Sequence, residues 1–514
     1  MPFHPEIHHH ATVAPDRLAF VIDGETRTYG ELANRSRSFA AYLASLRGSR
    51  EGQRVLSGVG KVVALALGNH IRFPELFIGS TEGPNACAVL DPKMPASQVE
   101  EILTRLRPDL IVTEEMNSSV AQIALKMGLE VRHAESFDHL AQGDRLAKAN
   151  ASDGAVDDTF LVSFTSGTTS LPKAYSRSRA AWRTSMSRGL SLFKLEDGPT
   201  TSCPGALAHG LALYALAETL HCGGTFHTVK QWRADSVANA LSNGDIQRLV
   251  AVPTMISGLA DSTQTKPLST FPSIRDVLTA GSKLNGKQVL LMREMFPNAR
   301  IMEYYGASEL GFISVSTVSP LDAETPIHTV GKSFPGVEVS IRNSSGQLLG
   351  QGETGTIYVQ SDLISDGYLW GDDGKAFRVD SSGAATVGDV GELDKNGALK
   401  VMGREGGMVI SGGFNIYPSE VEAALRGIEG VDEAIVLGME DDYLGMRLVA
   451  VLSGGFEDCK KVLEEASKTL PRYKVPREIF RASSWPMTTS GKIARGKFAE
   501  AVEKGQYAAV ELSN

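Results

Sequence analysis

Short, unbroken apolar segments set between helix-like stretches constrain this fold more than any other feature. Val62-Val63-Ala64-Leu65-Ala66-Leu67 is followed by a helical pattern over 73–80, then by Ala86-Cys87-Ala88-Val89-Leu90 and later by Leu110-Ile111-Val112. A strand with one wet face alternates polar and apolar residues, whereas a strand apolar at every position must be covered on both sides. Double coverage with intervening helices marks a mainly parallel sheet, because parallel neighbours need a crossover between them. The large amino-terminal part is therefore expected to be α/β, with mainly parallel sheets flanked by helices.

The end of the chain has another rhythm. A strand-like segment at 408–411 precedes a helix over 418–426 that has Pro418 at its first position and Glu420 and Glu422 near its positive end. Two apolar segments follow at 434–437 and 448–452, then an amphipathic helix over 458–470 ended by Pro471, then a short strand at 478–480. Strand, helix, strand, strand, helix, strand is the order of a small ferredoxin-like α+β unit. The expected division is a large domain, 1–404, and a small mobile domain, 405–514. Gly406 and Gly407 lie at the junction, where two residues without Cβ make a swivel or an ordinary surface turn.

Composition limits the function classes. With 514 residues, 42% hydrophobic and 22% charged, the chain is expected to be globular, and it exceeds a single small core. Its formal net charge of -9 argues against a general nucleic-acid binder, whose affinity rests on cations meeting phosphate. Cys87, Cys203, Cys222 and Cys459 are widely separated and form no C-x-x-C pair, so neither a disulfide framework nor a zinc site is indicated. His8, His9 and His10 are adjacent and cannot all face one ion easily. The longest uncharged run, 198–217, is interrupted by Pro204 and His209, which fits a core helix and not a membrane span. No secretory pattern opens the chain, so a cytoplasmic location is expected.

Chemistry concentrates in a few places. The apolar strand at 160–164 runs into Thr165-Ser166-Gly167-Thr168-Thr169-Ser170-Leu171-Pro172-Lys173, where five of nine residues carry hydroxyls. Hydroxyls, backbone N–H groups and a lysine suit the oxygens of a polyphosphate. This is not a P-loop: Gly331-Lys332-Ser333 has Pro326 where the first glycine belongs. A dinucleotide fingerprint is missing too, because Gly58-Val59-Gly60 is followed by Val63 at the third glycine position. The nearest nucleophile elbow, Gly306-Ala307-Ser308-Glu309-Leu310, ends in Leu310 instead of glycine. Tyr304-Tyr305-Gly306-Ala307-Ser308-Glu309, after strand-like 299–302, sets aromatic surface beside a carboxylate suited to Mg²⁺. Asp389 could accept from ribose hydroxyls, and Arg404 could donate to the same sugar or to a phosphate. A flexible loop at 486–493 carries Lys492.

Together these segments resemble the adenylate-forming superfamily of acyl- and aryl-CoA synthetases, peptide-synthetase adenylation domains and beetle luciferases. The resemblance runs from Thr28-Tyr29-Gly30-Glu31-Leu32 through Asp91-Pro92, the hydroxyl-rich loop, Tyr305 to Glu309, Gly388-Asp389, Gly403-Arg404 and Ser411-Gly412-Gly413-Phe414-Asn415-Ile416-Tyr417-Pro418 to Gly491-Lys492. It implies that Thr165, Ser166, Gly167, Thr168, Thr169 and Lys173 grip ATP phosphates, with Glu309 on Mg²⁺. Tyr305, with Gly306 and Ser308 in its motif, would lie by the adenine, and Asp389 with Arg404 would hold the ribose. Lys492 would be the catalytic lysine, Gly412 and Gly413 would flank the tether of coenzyme A, and Gly406 would be the hinge. His209 and Gly281 would border the acid pocket, whose small residues leave room for a fatty or aryl acid.

The implied reaction is activation of a carboxylic acid by ATP to an acyl-adenylate, then transfer to coenzyme A. Loading of a separate acyl-carrier protein and a non-catalytic nucleotide-binding relative remain alternatives. Two departures stand out: Ser170 replaces the usual glycine of the phosphate loop, and Gly406 stands where the hinge usually has Asp or Lys. Oligomeric state is not readable from the sequence.

Overall fold

The three apolar segments of the amino-terminal part become neighbouring parallel strands. Val62–Ala66 pairs on one side with Ala86–Val89 and on the other with Leu110–Thr113, and every residue of the three is buried. This architecture is seen in a computed structural model, which describes residues 4–504 apart from 47–55, 57, 143–153, 166–171, 262–268, 285, 319–328, 373, 375–376, 412–413, 442–443 and 489–492. Thr159–Thr165 adds in parallel beside Ala86–Val89, and Lys173–Ser178 and Tyr368–Trp370 close that edge antiparallel, giving a seven-stranded sheet.

A second sheet of nine strands is parallel through its middle. Thr201–Ser202, Arg248–Ala251, Asp276–Thr279 and Arg300–Ala307 run side by side, and Gly311–Val318 returns antiparallel. The helix Phe73–Ser80 is buried at all eight positions, and its apolar residues share one core cluster with strands of both sheets. A helix apolar on all sides belongs between layers. The apolar stretch near 205–217 becomes the helix Gly210–His221, which starts later than its composition suggests because 204–209 forms a loop at the end of Thr201–Ser202.

One of the buried charged pairs lies in this core. Glu218 and Arg248 stand 2.8 Å apart, 2% and 1% exposed, and the guanidinium lies over the Phe193 ring at 5.8 Å. Burial pushes the Glu218 carboxyl up, and Arg248 opposes that shift. Glu218→Ala leaves the arginine charged in the core, with an expected cost of about 3–5 kcal/mol. Urea unfolding midpoints of the variant and the parent chain check this.

A third, antiparallel sheet carries Asp389–Leu393 paired with Leu399–Arg404. Beyond it, a short 3-10 turn, Glu405–Gly407, leads into the hairpin Val409–Ser411 and Phe414–Ile416. The expected order of elements in the small part is present, with helices Pro418–Arg426 and Cys459–Thr469. Its sheet pairs Glu433–Asp441 antiparallel with Gly445–Ser453, and Gly445–Ser453 parallel with Glu478–Arg481. The first expected strand is bonded instead to Phe414–Ile416, its near neighbour in the chain, because closing a short loop costs less entropy than reaching a distant partner.

Candidate active site

Within each of the two large sheets the parallel strands end on one side, and several of the singled-out residues follow those ends, as in open α/β sheets generally. Thr165 closes one strand directly opposite Lys173 on its antiparallel neighbour. Lys173 is 9% exposed, and its Nζ stands 5.3 Å from the centre of the Tyr368 ring. Trp370 Nε1 donates to the Pro172 carbonyl at 3.2 Å, fixing the far side of the loop. Ser166, Gly167, Thr168 and Thr169, together with Ser170, lie outside the described residues.

Tyr304 and Tyr305 are not residues after a strand. The strand Arg300–Ala307 continues through them, since aromatic residues suit a half-buried pleat and Gly311–Val318 supplies a long partner. The turn between these strands holds Ser308 and Glu309. A Cβ on Gly306 would lie 2.5 Å from the Gly311 carbonyl, so the hairpin closes this tightly only with glycine there.

Tyr305 Oη donates to Asp389 Oδ2 at 2.5 Å, and Arg404 Nε donates to Asp389 Oδ1 at 2.7 Å. Asp389 and Arg404 are direct partners across their antiparallel pair, and Gly388 precedes them at φ 75°. Each carboxylate oxygen keeps a lone pair for a further donor. Burial and the Asp389 carboxylate push the Tyr305 phenol well up, so it remains a donor at neutral pH. Burial disfavours the charged Arg404 guanidinium, but Asp389 outweighs it and Glu309 adds to the same effect.

Glu309 is 8% exposed and accepts a hydrogen bond from Tyr368 Oη. Burial and this bond push the Tyr368 phenol up. The Glu309 carbonyl accepts from Ser365 N at 2.7 Å, and Arg177 donates to the carbonyls of Ser308, at 2.5 Å, and Leu363. The carboxylate is thus set by two strands and a buried arginine.

A cavity is lined by Cys203, Ala206, His209, Ala212, Val250 and Met255, among others. His209 begins the helix Gly210–His221, with its Nε2 3.8 Å from Asp91 Oδ2. Asn69, 8% exposed, holds the rim: its Nδ2 donates to the carbonyls of Gly205 at 2.9 Å and Val229 at 2.8 Å, and its Oδ1 accepts from Leu207 N at 2.7 Å. Gly281 follows the strand Asp276–Thr279 at φ 96°, a left-handed conformation that favours glycine.

The profile of the AMP-binding enzyme family matches residues 7–369, and that of the AMP-binding enzyme C-terminal domain matches 420–492. The chain belongs to the AMP-binding enzyme family. It lies in the acyl-CoA ligase branch of the adenylate-forming superfamily. It is 29% identical over 504 residues to an uncharacterized acyl–CoA ligase, YhfT, of Bacillus subtilis, covering 97% of this chain and 98% of that one. It is 25% identical to the 2-succinylbenzoate–CoA ligase of Staphylococcus epidermidis over 94% of both chains. ATP-bound MatB from Rhodopseudomonas palustris shares the fold, with a TM-score of 0.85 and 22% identity over 97% of this chain and 99% of that one.

In this AMP-binding enzyme the sequence-derived residues fall into three groups: Tyr305, Asp389 and Arg404; Glu309 and Lys173, joined through Tyr368; and His209 by the apolar cavity. Gly412, Gly413 and Lys492 lie outside the described residues. Gly406 sits in the turn between the third sheet and the small part. Asn69, Arg177 and Tyr368 were not singled out from sequence. Asn69 carried a signal, a buried amide directly after an apolar strand; Arg177 and Tyr368 act through contacts with chain 131 and 59 residues away. No helix among the described residues is long and apolar enough to cross a membrane.

Proposed function

We propose that this AMP-binding enzyme activates a carboxylic acid with ATP and passes the acyl group to the thiol of coenzyme A. The observation that supports this best is the joining of Tyr305, Asp389 and Arg404 through one carboxylate, with Glu309 and Lys173 both set against Tyr368. In the first step a carboxylate oxygen attacks the α-phosphorus of ATP, the bond from that phosphorus to the bridging oxygen breaks, and pyrophosphate leaves. In the second the thiol sulfur attacks the acyl carbon, the bond to the AMP oxygen breaks, and the thiol proton goes to solvent. Activation replaces a poor leaving group with a good one.

Asp389 accepts from the ribose hydroxyls, and Tyr305 and Arg404 hold that carboxylate in place. The loop from Thr165 to Lys173, with Ser166, Gly167, Thr168 and Thr169, binds the phosphates. Gly306 and Ser308 shape the turn beside the adenine, and His209 and Gly281 border the acid. Glu309 fits Mg²⁺: it is a hard oxygen donor held in place by Tyr368. It would hold the ion together with phosphate oxygens and water. When bound it supplies charge neutralisation of the phosphates.

Lys492 belongs to a loop whose base is well anchored. Met487 and Ile493 form a bridge, Ala494 N donates to the Pro486 carbonyl at 2.7 Å, and Arg495 grips buried Glu422 with both arms at 2.5 and 2.6 Å. In this reading the small domain, 405–514, turns on Gly406 between the two steps, with only its first residue left behind, and Gly412 and Gly413 approach the coenzyme A tether. Glu405 stays with the large domain, 1–404, through Arg378 at 2.9 Å and its own N–H on the Gly388 carbonyl at 2.7 Å. Gly406→Pro fixes φ at the turn. Its expected outcome is unchanged adenylate formation with slowed thioester formation, read from separate half-reactions.

The direct test is acid-dependent pyrophosphate release over a broad acid panel, with and without coenzyme A, and mass detection of adenylate and thioester. A thioester that forms only on a carrier protein overturns coenzyme A as acceptor. ATP binding without pyrophosphate release for any acid overturns the enzymatic reading.

A further inference from the structure

Two groups before the Gly406 turn bond to two groups after it. Lys287 Nζ donates to the Val431 carbonyl and stands 3.9 Å from Asp432 Oδ1. The Met402 carbonyl accepts from Ser419 Oγ. Ser419 lies in the first turn of the helix Pro418–Arg426, and Val431 lies in the turn leading from that helix to the strand Glu433–Asp441. The helix, about 13 Å long at 1.5 Å per residue, is thus held to the large part at its start and just beyond its end.

The Lys287–Asp432 pair alone, 47% and 71% exposed, contributes little. The bond to the Val431 carbonyl differs because its acceptor cannot move. The Gly430 carbonyl accepts from Phe456 N at 3.1 Å, Asp432 N donates to the Ser453 carbonyl at 2.8 Å, and the Val431 side chain is buried in the core of the small part. A Cβ on Gly454 would lie 2.1 Å from the Gly430 carbonyl, so this turn packs as closely as it does only against glycine.

The lysine end is anchored as well. Lys287 opens the helix Gly286–Met295, whose Val289, Met292 and Met295 are buried. Just before that helix, Glu303 accepts from Lys283 and from Leu284 N at 2.7 Å. Glu303 is 4% exposed and belongs to the strand that carries Tyr305. On the other side of the bridge, Glu422 in the middle of the helix Pro418–Arg426 accepts from Val436 N at 2.8 Å and from both arms of Arg495. Contacts therefore run without a break from the strand of Tyr305, through Lys287 and the turn at 428–432, to the base of the loop that carries Lys492. A substantial turn at Gly406 carries Ser419 and Val431 away together, so both bonds belong to one orientation of the small part.

We propose that Lys287 is a positioning residue: by clamping the turn after the helix Pro418–Arg426 it holds the small domain, and with it the Lys492 loop, in the orientation used for one of the two half-reactions. The inference rests on the two-step reading above. A bond present in one orientation and absent in the other biases the balance between them by its full free energy.

The experiment measures acyl-adenylate formation, and thioester formation from supplied adenylate, on the full chain with the acid that reacts fastest in the panel above. Lys287→Ala is expected to shift the ratio of the two rates by about 5-fold or more, slowing one half-reaction and leaving the other unchanged or faster. Lys287→Arg keeps a donor and should bring the ratio back to within about twofold of the parent. Ser419→Ala removes the other bond and should shift the ratio in the same direction. The urea midpoint of Lys287→Ala should match the parent, since a half-exposed side chain leaves no gap in the core. An unchanged ratio, equal loss in both half-reactions, or opposite shifts in Lys287→Ala and Ser419→Ala overturns the inference while leaving acid activation intact. Absence of both half-reactions in the parent chain overturns the two-step reading, and the inference with it, before any variant is compared.

Discussion

Replacing Lys492 with Ala is expected to slow acyl-adenylate formation by about 10²–10³-fold, the usual cost of removing one charge-stabilising donor from a reacting centre. Negative charge redistributes between the attacking carboxylate and the α-phosphate as pyrophosphate leaves, and a cation placed there helps only while that charge is moving. The second step has no such need, because the adenylate is already activated. Thioester formation from supplied acyl-adenylate should therefore remain largely intact. Rapid-quench assays of the two half-reactions check the split. Equal loss in both would show that the lysine supports the fold of the small domain and not the first step. The bidentate Arg495–Glu422 pair, three residues on, makes such structural collapse unexpected, since it anchors the loop independently of Lys492.

The second large effect is at Asp389. Asp389→Ala removes the acceptor proposed for both ribose hydroxyls and leaves Tyr305 and Arg404 without their shared partner. Charge-assisted hydrogen bonds contribute about 1.5–3 kcal/mol each, so a fall in kcat/KM for ATP on the order of 10²–10³-fold is expected. ATP lacking both ribose hydroxyls separates recognition from collapse. The parent should lose most of its activity with that analogue, and the variant should lose little more, because paired deletions at one contact are not additive. Asp389→Asn keeps the shape and one acceptor oxygen, and should fall between the two.

Much of the fold follows from local rules. Val62–Ala66, Ala86–Val89 and Leu110–Thr113 are apolar at every position, and a segment with no wet face has few places to go except the middle of a covered sheet. The helix Pro418–Arg426 begins at its proline as the chain suggests. Tyr304 and Tyr305 show the limit. Their aromatic character marked a special segment, but whether they end a strand or continue it depended on Gly311–Val318, which folds back against them. The hairpin at 409–416 shows the same limit, since strand propensity does not say which strand is the partner.

The site divides in the same way. Sequence order and residue type pointed to Glu309, Asp389, Arg404 and Lys173, because carboxylates and cations of these types suit the groups of a bound nucleotide. Residue type could not show that one carboxylate of Asp389 holds both Tyr305 and Arg404, 84 and 15 residues away. Nor could it show that Tyr368 links Glu309 with Lys173, or that Asn69 ties three backbone groups around the cavity rim.

The sequence by itself determined the layered α/β plan, the small trailing domain and the chemical character of the nucleotide groups, because periodicity and residue type act over a few neighbours. Tertiary structure alone decided strand partners, the partners of Asp389 and Glu309, and the burial of the Glu218–Arg248 pair. Those depend on groups far apart in the chain, whose contact energies exist only once backbone entropy has been spent on bringing them together.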